Sequence, residues 1–488
     1  MKASDSPEPL RGAKSSNSRR REVHSASDSG GAPRAVIDRS QLPVPGPPRP
    51  FSFPAIDKST LANGLDVWTV RHSEIPVVTL LLLVRCGAAD DPQGQHGLAA
   101  LTADMLDEGS GDRSAIDMHE ALARIGAGIQ THLGSDAAVV GFTVLRRFVD
   151  RALALLADVA VRPALRDDDF SRVRQLRLHR LKQLRDVPGA IADRTFFKLL
   201  YGDHPYGHMP IGTEAALASL TVDDVRMFHA GAIRPSSTTL IAVGDCDHDE
   251  IRRLAGEAFA TWEGQARVSN GGERSLPSSP RLAIVPRASA PQSELRIGQV
   301  VVARDTPDYH ALVTANMVLG GQFISRINLN LREDKGVTYG ARSNFDFRRR
   351  PGPFVLHVSV QTDATAQAIE ESLGEIAAIG GSRPVTEDEL ALAASALTRG
   401  YARNFETAEQ IARALTELAL YNLPDSFFAE FVPRIHEVTS AEVTRVMASH
   451  MEPLRLTTVV VGDLDAVGAD LGRLGLGDPV VLSAESFW

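Results

Sequence analysis

The longest apolar run of the chain, Ile75 to Val84, lies between Glu74 and Arg85 and is rich in Val and Leu. It is about half the ~20 residues needed to cross a bilayer, and its composition predicts a buried β-strand. Helical apolar spacing recurs over 115–125, 168–184, 364–379 and 387–399. Two further stretches share one pattern. LTVDDV (220–225) leads to STTLIAVGDCD ending at Asp247, and VTSAEV (438–443) leads to RLTTVVVGDLD ending at Asp465. Each reads as a capped helix, a short loop and a β-branched strand closed by Gly-Asp. The same offset separates Val225 from Val443 and Asp247 from Asp465, and LTADML (101–106) is echoed by VTANMV (313–318). Three echoes in one order indicate internal duplication. Strands and helices mix without regular βαβ alternation. The expected fold is therefore α+β: two homologous domains, each a largely antiparallel sheet with helices packed on one face.

Residues 1–52 are rich in Ser, Arg, Pro and Gly and too poor in apolar side chains to offset their ordering entropy, so a disordered tail is expected there. The stretch 263–280, with Gly-Gly, Ser-Ser and two prolines, has linker chemistry. It separates an N-terminal domain, 53–262, from a C-terminal domain, 281–488.

A 488-residue chain suits more than one core, and 43% hydrophobic with 23% charged residues is an ordinary globular composition. The formal net charge of −9 argues against a nucleic-acid binder. Cys86 and Cys246 are too few for a disulfide framework or a cysteine zinc site, and two separate buried thiols are expected. No apolar h-region follows the first lysine, so the chain as written reads as cytoplasmic, or as periplasmic if its true start lies elsewhere.

LANGLDVWTV (61–70), PVVTLLLLVRCGAADDPQGQHGLAALTADMLDEGSG (76–111), GDHPYGH (202–208) and IGTEAALASLTVDDVRMFH (211–229), with MVLGGQFISRINLNLREDKGVTYG (317–340), resemble the pitrilysin/insulinase/mitochondrial processing peptidase superfamily. The resemblance covers nearly everything after residue 55. It implies paired domains of a single fold that clamp an extended peptide. Active members carry an inverted zinc motif, H-x-x-E-H, on a helix. Histidines at i and i+4 share a helix face and grip one ion, and the glutamate beside them activates its water. Here Ala100 and Asp104 stand where the two histidines belong, and Ala103 replaces the glutamate. The helix expected to carry the distal glutamate, SRVRQLRLHRLKQLR (171–185), has no carboxylate, and His179 lies near the expected position. His96 would stand about 12 Å from Asp104 along a helix axis, too far to share an ion with bonds of ~2 Å. The expectation is therefore that this chain binds no metal and no cofactor of its own.

No other hydrolytic constellation is complete. His119-Glu120 and His436-Glu437 lack the second histidine, and His204 and His208 are separated by Pro205 and Gly207, which place them in a loop. One family feature is kept. Arg332 and Tyr339 match the pair that family members set against the substrate, the arginine donating to peptide carbonyls and the tyrosine to the developing oxyanion. Spacing alone also permits Arg332 to pair with Glu333 or Asp334 while Tyr339 packs in the core. Gly320-Gly321 permits positive φ or a close backbone approach; the resemblance implies a flexible loop touching substrate, and a plain turn fits equally. The resemblance implies the zinc-less subunit of a heterodimeric metalloendopeptidase, with zinc and its ligands in a homologous partner. The alternative is a non-catalytic structural or peptide-binding protein that keeps the clamp fold. A third reading is an autonomous enzyme with an unconventional site.

Overall fold

A computed structural model describes residues 51–265 and 275–488. The expected tail up to residue 50, and 266–274 of the expected linker, lie outside the described residues. The tail's last residues correct that expectation. Phe51 stacks on Phe405 with ring centroids 4.9 Å apart, and Phe53 meets Phe405 and Phe428. Of the expected tail, Phe51 is therefore packed on aromatic side chains of the second half, beside Phe53 of the expected N-terminal domain.

The first half runs β1 (Asp57–Thr60), β2 (Asp66–Arg71), β3 (Val77–Val84), α1 (Leu98–Met105), α2 (Ala115–Ala123), β4 (Gln130–Leu133), β5 (Ala138–Leu145), α3 (Val149–Val161), α4 (Asp167–Leu184), α5 (Pro188–Tyr201), α6 (Glu214–Ser219), α7 (Val222–Ala232), β6 (Thr238–Gly244) and α8 (His248–Ala258). The second runs β7 (Leu282–Pro286), β8 (Gln292–Val300), α9 (Tyr309–Leu319), α10 (Arg326–Asn328), β9 (Ala341–Phe345), β10 (Pro353–Gln361), α11 (Thr365–Ile379), α12 (Glu387–Thr398), α13 (Ala408–Tyr421), α14 (Phe427–Glu437), α15 (Ser440–His450), β11 (Thr457–Gly462), α16 (Leu464–Leu471) and β12 (Val480–Val481).

Each half builds one six-stranded sheet, in the orders β1-β2-β6-β3-β5-β4 and β12-β7-β11-β8-β10-β9. Five of the six positions correspond strand for strand, β2 through β6 matching β7 through β11. The duplication is thus visible in topology. In both sheets one central pair is parallel, β2 with β6 and β7 with β11, and the pairs on the other side are antiparallel. The outer edges differ: β1 comes from the chain's start and runs antiparallel to β2, whereas β12 comes from its end and runs parallel to β7.

Within each half, helices cover one face of the sheet, as expected. Leu80, Leu82 and Val84 of β3 pack against Met118 and Leu122 of α2, Leu153 and Leu156 of α3, and Ile251 of α8. The opposite face is covered by a helix from the other half. Leu81 and Leu83 of β3, with Ile241 and Val243 of β6, meet Ile411, Leu415 and Leu418 of α13. Reciprocally, α5 sets Ile191 and Phe196 against Val285, Val461, Val355 and Val459 of the second sheet. A sheet buried on both faces needs apolar residues at consecutive positions, which is why the 75–84 run shows no alternation. Arg296 of β8 pins this exchange. Its buried guanidinium pairs with Asp193 of α5 at 2.5 Å and with Glu294 at 2.6 Å.

The helices expected over 115–125, 168–184, 364–379 and 387–399 are α2, α4, α11 and α12. Polar signals set the starts of α2 and α12, where Ser114 and Thr386 close capping boxes with Asp117 and Glu389. Both cysteines are buried and free.

Two half-buried histidines predict a pH dependence of stability. His310 of α9 lies among Phe427 and Phe431, with ring centroids 5.9 and 5.7 Å away. Burial lowers its pKa from 6.5 to about 4, and Arg304 and Arg434 add to the shift. The unfolded chain therefore binds the proton first. Stability conferred by the neutral ring is present above about pH 6.5 and is lost as the pH falls toward 4. His357 is lowered to about 4 in the same direction. The urea midpoint should therefore fall between pH 7 and pH 5, and His310→Gln should reduce that fall. An unchanged fall in the variant would show that His310 does not contribute.

Candidate functional site

The helix that would carry a zinc motif, α1, begins at a rigid junction. Gly97, its N-cap, has φ +102, and a Cβ there would stand 2.9 Å from the Cα of Gly212. Only glycine meets both demands. The carboxylate of Asp91 accepts the backbone N–H groups of Gly97 and Ala99, each at 2.6 Å, where the helix dipole favours negative charge. His208 Nε2 lies 3.0 Å from the same carboxylate, and the His208 ring stacks on His96 at 4.3 Å. His204 contributes elsewhere, its Nδ1 accepting the N–H of Tyr206 at 3.1 Å. Of the two histidines of the GDHPYGH loop, His208 is thus used to seat α1.

Downstream of this junction, Ala100, Ala103 and Asp104 face a hollow of about 240 Å³, closed by Thr131, Leu133, Arg177, Pro210 and Ile211. Arg177 of α4 donates from Nε to Asp104 Oδ2 at 2.7 Å. A guanidinium has five donors and no acceptor. It takes up the carboxylate that would be the single ligand and sets a fixed positive charge where a cation would sit. His179 is not beside Asp104; its Nε2 lies 3.1 Å from Gln175 Nε2 on α4 itself. Residues 177 and 179 are about 200° apart around a helix, so when Arg177 faces α1, His179 cannot. Sequence spacing pointed to His179 and missed Arg177, one of several arginines in a basic run. Its only sequence signal was a carboxylate at position 104 in need of a partner. Zinc does not fit this site. Among the described residues, no group of three or more His, Cys, Asp and Glu is arranged to hold a metal. Nearby, Asp107 pairs with His119 at 3.4 Å, and burial raises the Asp107 carboxyl while His119 opposes the shift.

The second-half residues form a separate assembly. Gly320 and Gly321 close α9 with φ outside the left-handed region. A Cβ on Gly320 would stand 2.5 Å from Ser343 Oγ, and one on Gly321 would stand 2.6 Å from Asn316 Nδ2. The pair therefore serves close approach. Both glycine N–H groups donate to the Asn316 carbonyl, and Asn316 Nδ2 donates to the Ser343 carbonyl at 3.1 Å. Beyond them, Phe323 and Ile324 are exposed.

Arg332 lies in a π-helical turn, Leu329–Asp334, that follows α10. Such turns are rare and recur at functional sites. Its guanidinium covers the Phe323 ring at 3.8 Å, and Nη1 lies 3.2 Å from Glu333 Oε1. Nη1 is nevertheless buried and makes no hydrogen bond among the described residues. Tyr339 sits on the turn that follows. Gly336 adopts φ +67, Thr338 Oγ1 donates to the Ser359 carbonyl at 2.7 Å, and Ala341 N–H donates to Asn328 Oδ1 at 2.8 Å. On this fixed backbone the Tyr339 side chain is 93% exposed. Arg332 therefore has the Glu333 contact that spacing permitted, whereas Tyr339 is not in the core.

Comparison with known proteins places both sites in context. Residues 67–209 match the family model described as insulinase (peptidase family M16), and residues 219–397 match that of the peptidase M16 inactive domain. The chain belongs to the M16 peptidase family. This M16 chain is 25% identical, over 425 residues, to a protein of Mycobacterium tuberculosis named as a zinc protease, with 86% of this chain and 96% of that relative covered. A Streptomyces coelicolor protein, also named as a zinc protease, is 22% identical over 418 residues, covering 84% of this chain and 90% of its own length. Among solved structures, a peptidase M16 inactive domain from Pseudomonas fluorescens superposes with a TM-score of 0.78 at 25% identity, covering 84% of this M16 chain and 98% of its own. A protease from Helicobacter pylori shares the fold, with a TM-score of 0.75 at 19% identity over 84% of this chain and all of its own. No helix among the described residues is long and apolar enough to cross a membrane.

Proposed function

We propose that this M16 chain is the zinc-less subunit of a heterodimeric metalloendopeptidase, which binds an extended peptide and supplies Arg332 and Tyr339 to a zinc-bearing homologous partner. The observation that carries this reading is the contrast between the two sites. The hollow around Ala100, Ala103 and Asp104 is neutralised by Arg177. The Arg332–Tyr339 segment instead keeps a buried guanidinium nitrogen that meets Glu333 as an ion pair without forming a hydrogen bond among the described residues, and an exposed phenol on the turn that follows. Burying a donor without a partner costs about 1–3 kcal/mol. Exposing a large aromatic side chain adds nothing to folding. Both features become intelligible when a peptide arrives. Arg332 then donates to a peptide carbonyl, and the Tyr339 hydroxyl hydrogen-bonds the oxygen on which negative charge develops. Without a general base at position 103, this chain has no residue there to activate water. The zinc-protease names of its relatives agree with a peptidase context.

The test is to purify the chain alone and together with a homologue bearing an intact H-x-x-E-H. The isolated chain should contain no stoichiometric zinc and hydrolyse no peptide, and the pair should co-purify and cleave. Zinc bound one-to-one with turnover by the isolated chain would defeat the proposal, as would failure of the pair to associate.

A further inference from the structure

A cavity of about 790 Å³ shares no residue with the Asp104 hollow or the Arg332–Tyr339 segment. It opens where the end of β3 meets α7 of the first half and the β9–β10 loop of the second. Its volume is in the range of small-molecule sites.

Its charges are unevenly satisfied. Three carboxylates line it, and each already accepts hydrogen bonds. Asp90 takes the Gly87 N–H at 2.8 Å. Asp136 takes the Tyr206 hydroxyl at 2.5 Å and the Arg349 N–H at 2.9 Å. Asp224 takes Thr221 and the Gln95 amide. Three guanidiniums line it as well, and Arg85 and Arg349 differ from the carboxylates, whereas Arg350 is engaged. Arg85, half-buried, donates only to neutral oxygens, Thr239 Oγ1 at 3.1 Å and the Ala419 carbonyl at 3.3 Å. Arg349 makes no side-chain hydrogen bond among the described residues, and neither arginine has a carboxylate within ion-pair distance among them. Burial lowers the basicity of Arg85; the charge of Asp66, beyond ion-pair distance, opposes that shift and the like charge of Arg349 adds to it. A partly desolvated cation facing a cavity with no carboxylate in direct contact is costly, and an incoming anion relieves that cost. Beside the arginines the wall is apolar: Leu98, Met227 and Phe228, with Met227 strongly exposed.

We propose that this cavity binds a small organic anion with an apolar body, its carboxylate held by Arg85 and Arg349 and its body laid on Met227 and Phe228. Guanidinium groups suit carboxylates because they present paired donors. This assignment is independent of any peptidase partner.

Calorimetric titration of the full chain with decanoate tests it. Saturable binding is expected, weakened by salt. Arg349→Ala should raise Kd at least about tenfold, and Arg349→Lys, which keeps the charge, should lie between the two. Decanol and inorganic phosphate should each bind much more weakly, because each lacks one half of the match. The Arg349 side chain holds no structural bond among the described residues, so Arg349→Ala should unfold at the wild-type temperature. No saturable heat with decanoate, unchanged affinity in Arg349→Ala, or phosphate binding as tightly as decanoate would each overturn the proposal.

Discussion

Tyr339→Phe should lower the kcat of the assembled two-subunit peptidase by about 10²–10³-fold, the usual effect of deleting one oxyanion donor, and should leave the thermal unfolding of this chain unchanged. The second half of this expectation comes from exposure. The Tyr339 side chain is 93% exposed, so loss of its hydroxyl removes no internal contact. The turn beneath it is held by backbone and by Thr338 and Asn328, which the substitution does not touch. A donor used only as charge develops lowers kcat and kcat/KM together and leaves KM nearly constant. Arg332→Ala should differ, raising KM as well, because its donors meet a carbonyl already present in the bound peptide. It also uncovers the Phe323 ring. Steady-state kinetics on the reconstituted pair separate the two patterns. Full activity in Tyr339→Phe would assign the exposed phenol to something other than the oxyanion.

The parts of this molecule that could be read from the sequence follow local rules. The duplication was visible because matching strands and caps recur in order, and α2, α4, α11 and α12 were visible because their apolar spacing is local, as are the capping boxes of α2 and α12. The exchange of α5 and α13 between sheets was not. It is a long-range pairing, and its only local trace is an apolar run at 75–84 without alternation, a pattern that several architectures share. That Ala100, Ala103 and Asp104 do not spell the inverted motif was legible, since it concerns which residues stand on one helix. The pairing of Arg177 with Asp104 was not, because a contact between residue 104 and residue 177 depends on how α4 is rotated about its axis. One step of two residues turns the side chain to the opposite side, which separates His179 from Arg177. For Gly320-Gly321, the sequence allowed two uses of glycine, and only the approach of Ser343 and Asn316 chooses between them.

That rotation of α4 carries the last expectation, which concerns restoring the metal site. Ala100→His, Ala103→Glu and Asp104→His together rebuild the inverted motif on α1, where the Asp91 cap and the Gly97–Gly212 contact already fix the helix. This triple variant should still bind zinc poorly. Arg177 reaches position 104 within hydrogen-bond distance, so its charge would stand a few ångströms from a divalent ion. Two unit charges about 4 Å apart interact by roughly 4 kcal/mol at an effective dielectric constant near 20, and the ion carries twice that charge. Adding Arg177→Glu reverses the sign of the nearby charge and adds an oxygen donor from α4. The quadruple variant should therefore bind zinc at least about 100-fold more tightly than the triple, measured by competition with a chelating dye and by metal content after dialysis. Equal affinities in the two variants would show that Arg177 moves aside at no cost, and the closed state of this site would then need a different explanation. A large difference would locate the loss of metal in a pair of residues from two helices: a missing ligand set on α1 and a cation from α4 that fills its place.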